Sequence, residues 1–237
     1  MAPEIAATAK PGQFIQLRVA EPDTCDPLLG RPMSLYQIEP ASGSMAVIFK
    51  VVGRGTALLA GKKVGELIEV LGPIGNGFTI PEATRRLALI AGGIGMPPLF
   101  CLATALSKTN PQLEMALFYG GRNRRDLLAL EAWEALNIKV LIATDDGSLG
   151  HTGLVTELFL NHHHQERFDF LAACGPNAML KTLQKLADSE QLEGQLSLEA
   201  NMACGVGACL GCACQTKAGY QRVCVDGPVF GLGEVEL

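Results

Sequence analysis

Short apolar runs separated by glycine and proline fill the first third of the chain: Phe14–Val19, Met45–Val52 and Leu67–Leu71. No stretch there repeats at helical spacing, so the pattern to about Pro81 predicts a small antiparallel barrel or sandwich. The pattern then changes. Strand-like runs at Leu87–Ala91, Glu114–Tyr119, Lys139–Ala143 and Phe168–Ala172 alternate with helical stretches at Pro97–Ser107, Arg125–Ala135, Leu154–Asn161 and Asn177–Asp188. Such alternation predicts an α/β unit with a parallel sheet. From Asn201 the chain reads as a cysteine-rich loop and little else. The predicted organisation is therefore β + α/β, with segments 1–81, 82–200 and 201–237.

One stretch imitates a membrane span. Leu87 to Leu106 runs for twenty residues without a charge, which satisfies the length requirement. Gly92, Gly93, Gly95, Pro97 and Pro98 interrupt it, and lipid cannot satisfy the backbone groups that the prolines free. A buried strand, a tight turn at Gly92–Met96 and a buried helix opened by proline fit better. Composition agrees. Hydrophobic residues make up 48% and charged residues 18% of the 237, which excludes a disordered chain. A net charge of −5 gives no overall attraction to nucleic acid or anionic lipid, and 5% aromatics leave little for base stacking.

Cysteine usage carries more. Five of the eight cysteines fall in the last 34 residues. Met1 is not followed by a basic and then apolar leader, so the expectation is a cytoplasmic chain whose clustered thiols bind metal. Four residues separate Cys204 from Cys209, two separate Cys209 from Cys212, and Cys224 follows eleven residues further on. C-x4-C-x2-C with a distant fourth cysteine is the plant-type [2Fe–2S] spacing. Gly205, Gly207, Ala208 and Gly211 are small enough for a loop that wraps a two-iron cluster, and their N–H groups are candidate donors to its sulfurs. Cys214 falls outside the spacing and reads as a neighbour. The competing readings are a structural zinc site, for which only one Cys-x2-Cys knuckle is present, substitution of Cys214 for Cys212 or Cys224, and buried inert thiols.

Two other places look suited to phosphate. Ala91-Gly92-Gly93-Ile94-Gly95-Met96-Pro97 follows a strand and opens a helix, where glycine admits a pyrophosphate to the helix N-terminus. Arg31-Pro32-Met33-Ser34-Leu35-Tyr36 puts an arginine, a hydroxyl and an aromatic ring on one strand, and Gly53-Arg54-Gly55-Thr56 is a small loop whose backbone suits an anion. The plain alternatives are a glycine-rich βα turn, a surface arginine with a core tyrosine, and a hairpin turn. Thr144-Asp145-Asp146-Gly147 lies at a strand end, where a carboxylate binds a ribose hydroxyl and repels a 2′-phosphate, or simply forms an Asp-Gly turn. His162, His163 and His164 read as a solvated helix end, and Trp133 with Leu130 as core packing.

Taken in order, RPMSLY, GRGT, LGPIGNGF, AGGIGMPP and ACGP resemble the ferredoxin reductase-like flavoproteins. With the tail ending CVDGPVF, the whole chain is similar to the electron transfer subunits of dihydroorotate dehydrogenase B. The resemblance implies an FAD-binding barrel, an NAD-binding domain and a [2Fe–2S] segment. It places Arg31, Pro32, Met33 and Ser34, then Ile48, Phe49 and Lys50, then Gly55 and Thr56 at the flavin, with Tyr36 beside it. It makes Gly92, Gly93 and Gly95 the nucleotide turn, Cys204, Cys209, Cys212 and Cys224 the cluster ligands, and Cys174 a neighbour of the nicotinamide ring or a small buried residue at a strand end. The implied partner is an FMN-containing catalytic subunit, in a heterotetramer of two of each chain. It oxidises dihydroorotate to orotate in de novo pyrimidine (UMP) biosynthesis, and its electrons pass through the cluster and FAD to NAD+. The cluster carries single electrons and nicotinamide takes a hydride, so flavin, which does both, belongs between them. An NAD(P)H:ferredoxin or sulfide-type oxidoreductase subunit shares the core and is the alternative; a zinc-stabilised binding module without flavin is a third. Such proteins usually have one more strand before the stretch matching Lys10–Phe14. Nine residues precede Lys10 here, so either a shortened start or a barrel one strand short is expected.

Overall fold

The computed structural model describes residues 1–20 and 24–237. Helix α1 (Pro3–Thr8) precedes strands β1 (Phe14–Arg18), β2 (Arg31–Ser34), β3 (Gln37–Glu39) and β4 (Ser44–Ala46), then α2 (Arg54–Gly61) and β5 (Glu69–Ile74). Strands β2, β1 and β5 form an antiparallel sheet in that order, and β3 pairs with β4 as a hairpin. Ile15, Leu17, Met33, Leu35 and Leu59 form the core between them. The expected strand Met45–Val52 stops at Ala46. Among the described residues, 47–52 join no sheet; Phe49 packs on the N-terminal core and Ile48 on the core of the second unit. The two helices are not evident from the apolar pattern, since both are short. Gly53–Thr56, expected as a loop, opens α2, where the Thr56 hydroxyl accepts from the N–H groups of Val52 at 2.9 Å and Gly53 at 3.1 Å.

The second unit contains β6 (Arg86–Gly92), α3 (Met96–Thr109), β7 (Glu114–Gly121), α4 (Leu130–Glu134), β8 (Lys139–Thr144), β9 (His151–Thr152), α5 (Val155–Gln165), β10 (Phe170–Cys174), α6 (Asn177–Glu190) and β11 (Glu193–Ser197). The tail adds β12 (Ala213–Thr216), β13 (Gly219–Arg222) and β14 (Val229–Gly231). The large sheet runs β14-β11-β10-β6-β7-β8-β9. Its strands are parallel except β14, which is antiparallel to β11. Continuous apolar runs such as Leu87–Ala91 are buried on both faces, as expected of a parallel sheet covered by helices. Among the described residues no helix is long and apolar enough to cross a membrane.

Four expectations change. The tail is more than a loop, because β12 and β13 form a hairpin and β14 extends the large sheet. The helix expected over Arg125–Ala135 is a 3-10 turn at Arg124–Asp126 and then the short α4, separated from it by Ala129, whose left-handed φ of 53° caps the start of α4. The strand expected from Phe168 begins at Phe170, since Phe168 is buried from a loop against Phe118 and Phe159. The histidine triplet is not a uniformly solvated end. His163 is 2% exposed, its Nδ1 accepts from the Phe168 N–H at 3.3 Å, and its Nε2 lies 2.9 Å from an Arg167 nitrogen. Trp133 is fully buried, edge-on to Phe100.

Burial and the Arg167 charge hold the His163 imidazole below its ordinary value of 6.5, with Glu190 opposing and His164 adding to the shift. Above that value the ring is neutral in both folded and unfolded chains. Below it the unfolded chain takes up a proton that the folded one resists, so stability falls as pH drops. Chemical denaturation followed across pH 6.5 is expected to show a shallower pH dependence for His163→Phe than for the wild type.

Candidate functional site

Three groups of residues converge around the carboxyl ends of the parallel strands. The first is a cleft of about 680 Å3 lined by the ends of β6, β7, β8 and β10, with Gly93, Gly121, Asp145, Val155, Gly175 and Glu199 among its walls. The carboxyl edge of a parallel sheet is where such folds bind nucleotides. Gly92, Gly93 and Gly95 form the turn into α3. Gly93 has φ +52° and open space around it, and a Cβ on Gly95 would stand 2.5 Å from the Cys174 carbonyl carbon. The turn therefore presses α3 onto the end of β10 and leaves backbone facing the cleft. Asp145 lines the cleft, whereas Asp146 is spent on the turn, accepting from the Ser148 N–H at 2.9 Å. Arg122 also lines it.

Cys174 ends β10 with 1% exposure, and burial pushes its thiol well up. The thiol lies outside the cleft lining, to which the adjoining Gly175 and Pro176 belong. The Glu199 carboxyl reaches the cleft, and the surrounding protein raises it above the usual carboxylate range.

The second group is the flavin motif. Arg31 at the start of β2 and Gly55 in the first turn of α2 are brought into contact: a Cβ on Gly55 would lie 2.5 Å from Arg31 Cζ. A guanidinium against a helix N-terminus is a cradle that fits a pyrophosphate. Arg31 is held there by the carbonyls of Leu29 at 2.6 Å and Gly30 at 3.1 Å. Pro32 and Ser34 remain half-exposed on the strand, while the Met33 side chain points into the N-terminal core. The Tyr36 ring stacks on Phe100 of α3 at 4.5 Å, is 9% exposed, and joins the two units. Lys50 reaches across to the cleft and donates to Asp126 at 2.8 Å; Arg122 Nε donates to the other carboxylate oxygen at 3.0 Å.

The third group is the cysteine loop. Cys209 is exposed, Cys204 half-buried, and Cys212 and Cys224 buried. The thiols associate in pairs, Cys204 with Cys209 and Cys212 with Cys224. Backbone N–H groups converge on them. Val206 and Cys209 donate to Cys204 Sγ at 3.5 and 3.4 Å, Gly207 to Cys224 Sγ at 3.2 Å, Gly211 to Cys209 Sγ at 3.4 Å, and Cys224 to Cys212 Sγ at 3.4 Å. Left-handed φ values at Gly205 and Gly207, +71° and +78°, aim these donors. The donors hold the Cys204 thiol down to about 6, while burial and Cys212 push Cys224 up to about 11. Two thiol pairs, each with amide donors, fit a two-iron cluster in which each iron takes two thiolates. Cys214 stands apart on β12, half-buried, its thiol raised by burial and then by Cys212.

Residues 89–185 match the family model of the oxidoreductase NAD-binding domain. Residues 199–236 match that of the iron–sulfur cluster binding domain of dihydroorotate dehydrogenase B. The chain resembles a chain of the NADH-dependent reduced ferredoxin-NADP oxidoreductase structure, described in connection with flavin-based electron bifurcation, with a TM-score of 0.87 and 30% identity over 99% of this chain and 82% of that one. The class is thus a ferredoxin reductase-like oxidoreductase with an iron–sulfur segment. The "Dihydroorotate dehydrogenase B (NAD(+)), electron transfer subunit" of Desulforamulus reducens is 40% identical over 97% of this chain and 87% of its own length. That of Geobacillus thermodenitrificans is 42% identical over 98% and 89%. The chain belongs to the family of dihydroorotate dehydrogenase B electron transfer subunits.

Sequence reasoning missed Asp126, Glu199 and two amide side chains, Gln16 and Asn76, that touch the cysteine loop. Gln16 had a signal: it is a lone polar residue within the apolar run Phe14–Leu17, a strand that proves buried on both faces.

The Lys50 and Arg122 hydrogen bonds hold the Asp126 carboxyl down to about 2. Its contribution to stability is complete above its ordinary 3.8 and is lost as pH falls from there toward about 2. Lys50 is partly solvated, so Asp126→Asn is expected to cost only about 0.5–1.5 kcal/mol at neutral pH. Denaturant titration at pH 7 and below 3.8 measures both the loss and its disappearance in acid.

Proposed function

We propose that this chain takes electrons from an FMN-containing subunit that oxidises dihydroorotate and delivers them to NAD+. The balance is dihydroorotate plus NAD+ giving orotate, NADH and one proton, with two electrons crossing this chain per turnover. A bound [2Fe–2S] cluster supplies one-electron relay, and FAD supplies the conversion to hydride chemistry. The observation that carries the reading is the cysteine loop: four thiols in two pairs, with five N–H groups aimed at their sulfurs.

The chain's residues take the following parts. Cys204, Cys209, Cys212 and Cys224 hold the cluster. Arg31, with the α2 N-terminus at Gly55 and Thr56, binds the FAD pyrophosphate, and Pro32–Ser34 with Ile48–Lys50 line the flavin site. Gly92, Gly93 and Gly95 admit the nicotinamide nucleotide, and Asp145 binds its adenosine ribose, favouring NAD. The exposed edge of the cluster faces the partner: Cys209 lies among Val206 and Leu210, which are 57% and 62% exposed. An apolar rim around a redox centre is the surface a donor subunit covers. We infer a heterotetramer of two chains of each kind, in the cytoplasm.

Anaerobic purification with the FMN subunit tests this. The expected result is about one FAD and two irons per chain, as a two-iron cluster held by four cysteines requires, with dihydroorotate bleaching the flavin of this chain. Cys209→Ser is expected to lower iron content and abolish that bleaching. Zinc without flavin would sink the reading. Flavin and iron with no response to dihydroorotate would assign the chain to the NAD(P)H:ferredoxin oxidoreductases, whose structure it also resembles.

A further inference from the structure

Two amide side chains from the N-terminal unit grip the cysteine loop at its two ends, and neither is among the residues expected at the flavin or the cluster. Gln16, in the middle of β1, is 7% exposed, and its Nε2 donates to the Ala203 carbonyl at 2.9 Å. Ala203 immediately precedes Cys204. Asn76, just past β5, donates through Nδ2 to the carbonyls of Val225 at 3.2 Å and Asp226 at 2.9 Å. Val225 immediately follows Cys224. The Asn76 N–H adds a bond to the Gly227 carbonyl at 2.6 Å. Both ends of the segment that holds all four paired cysteines are therefore tied to the sheet that carries Arg31–Ser34.

The space for Gln16 is reserved on both sides. A Cβ on Gly30 would come 2.6 Å from Gln16 Cγ, and one on Gly205 would come 2.5 Å from its Oε1. Gly30 adjoins Arg31 of the flavin motif and Gly205 adjoins Cys204, so this one side chain lies between the two motifs. Its Oε1 is buried without a partner among the described residues. Rotating the amide by half a turn does not help, because it would set that oxygen against the Ala203 carbonyl. A leucine would fill the same space without burying an unpaired amide oxygen but would take the donor from the Ala203 carbonyl, so the amide is accounted for by its bond to the loop rather than by filling the core.

We propose that Gln16 and Asn76 are positioning residues: two side-chain amides that fix the cysteine loop against the flavin-bearing sheet and so set the separation across which electrons pass. The inference rests on the function proposed above. It assigns a role to the motif Leu71–Phe78, whose Gly75 and Asn76 meet the loop at Gly227 and Val225.

The test compares wild type, Gln16→Met and Gln16→Asn as full chains loaded anaerobically with FAD and cluster. Met keeps the volume and loses the donor; Asn keeps the amide and falls one methylene short. Rapid mixing with NADH reads flavin reduction by absorbance and cluster reduction by freeze-quench EPR. The expected result is flavin reduction at the wild-type rate, cluster reduction slowed by about tenfold, and an altered cluster EPR line shape. Combination with Asn76→Ala is expected to be non-additive. If Gln16→Met fails to fold, Gln16→Asn is expected to show the same split. Cluster reduction at the wild-type rate with an unchanged line shape would overturn the inference, even if the variants were less stable or held less cluster. A wild-type chain without flavin or iron would overturn the proposed function, and this inference with it.

Discussion

Strand β14 lies antiparallel along β11, pairing Gln195 with Gly231, Leu196 with Phe230 and Ser197 with Val229. The rest of the site depends on that short ladder. A loop of glycines and cysteines buries too little apolar surface to fix its own position. Here the chain leaves the large sheet at β11, forms the loop and the β12–β13 hairpin, and is drawn back into the sheet at β14. Phe230 and Val229 are buried there, and the Leu198 N–H donates to the Pro228 carbonyl at 2.9 Å. The cysteine loop is thus a closed excursion from the nucleotide-binding sheet. Its orientation is inherited from rigid strands, which makes a fixed relation to the flavin sheet achievable at all.

Charge is arranged around that excursion with the same economy. Four thiolates in one loop repel one another: burial raises the Cys224 thiol most, and Cys212 and Cys204 push it up further. The backbone N–H donors offset this at Cys204, and the Arg222 guanidinium lies close enough to Gly207 that a Cβ there would meet it at 3.1 Å. Arg222 is itself oriented by Asp226, to which its Nε donates at 3.2 Å. Beside the Arg222 guanidinium, backbone N–H dipoles are what the chain itself turns toward these sulfurs; the irons that four thiolates would hold supply the rest of the positive charge. Glycine is needed because only a loop free to adopt left-handed φ can turn so many N–H groups inward.

Much of this was legible in the sequence where one physical signal dominated. The parallel strands were, because burial on both faces demands unbroken apolar runs. The cysteine spacing was, because ligand geometry leaves few arrangements. Reading failed where two effects gave the same pattern. Phe168 is as buried as a strand residue but reaches the core from a loop. Ile48 and Phe49 are apolar but lie in no strand among the described residues, and they divide between two cores. Over Arg125–Ala135 the helical spacing is real, but Ala129 takes a left-handed conformation that composition does not announce, and the helix starts only after it. Strand β14 is three residues long and lies amid glycines, so only its pairing reveals it. The contact of Tyr36 with Phe100 could not be read, because it is remote in sequence and depends on how the units pack.

The N-terminal unit is tied to the nucleotide cleft and to the cysteine loop by different chemistry. Toward the nucleotide cleft the link is ionic, Lys50 to Asp126. Toward the cysteine loop it is made by neutral amides. The difference suits the two tasks. A nucleotide enters and leaves its cleft carrying phosphate charge, and a charged link through Lys50 and Arg122 responds to that charge. A relay between two bound redox groups needs a spacing that stays the same as charge on either side changes with each electron. Amides do not titrate, and their hydrogen bonds to carbonyls respond less to a passing charge than an ion pair does. The ionic link at the cleft therefore responds to the charge of the exchangeable nucleotide, while the amides that tie the sheet to the cysteine loop do not.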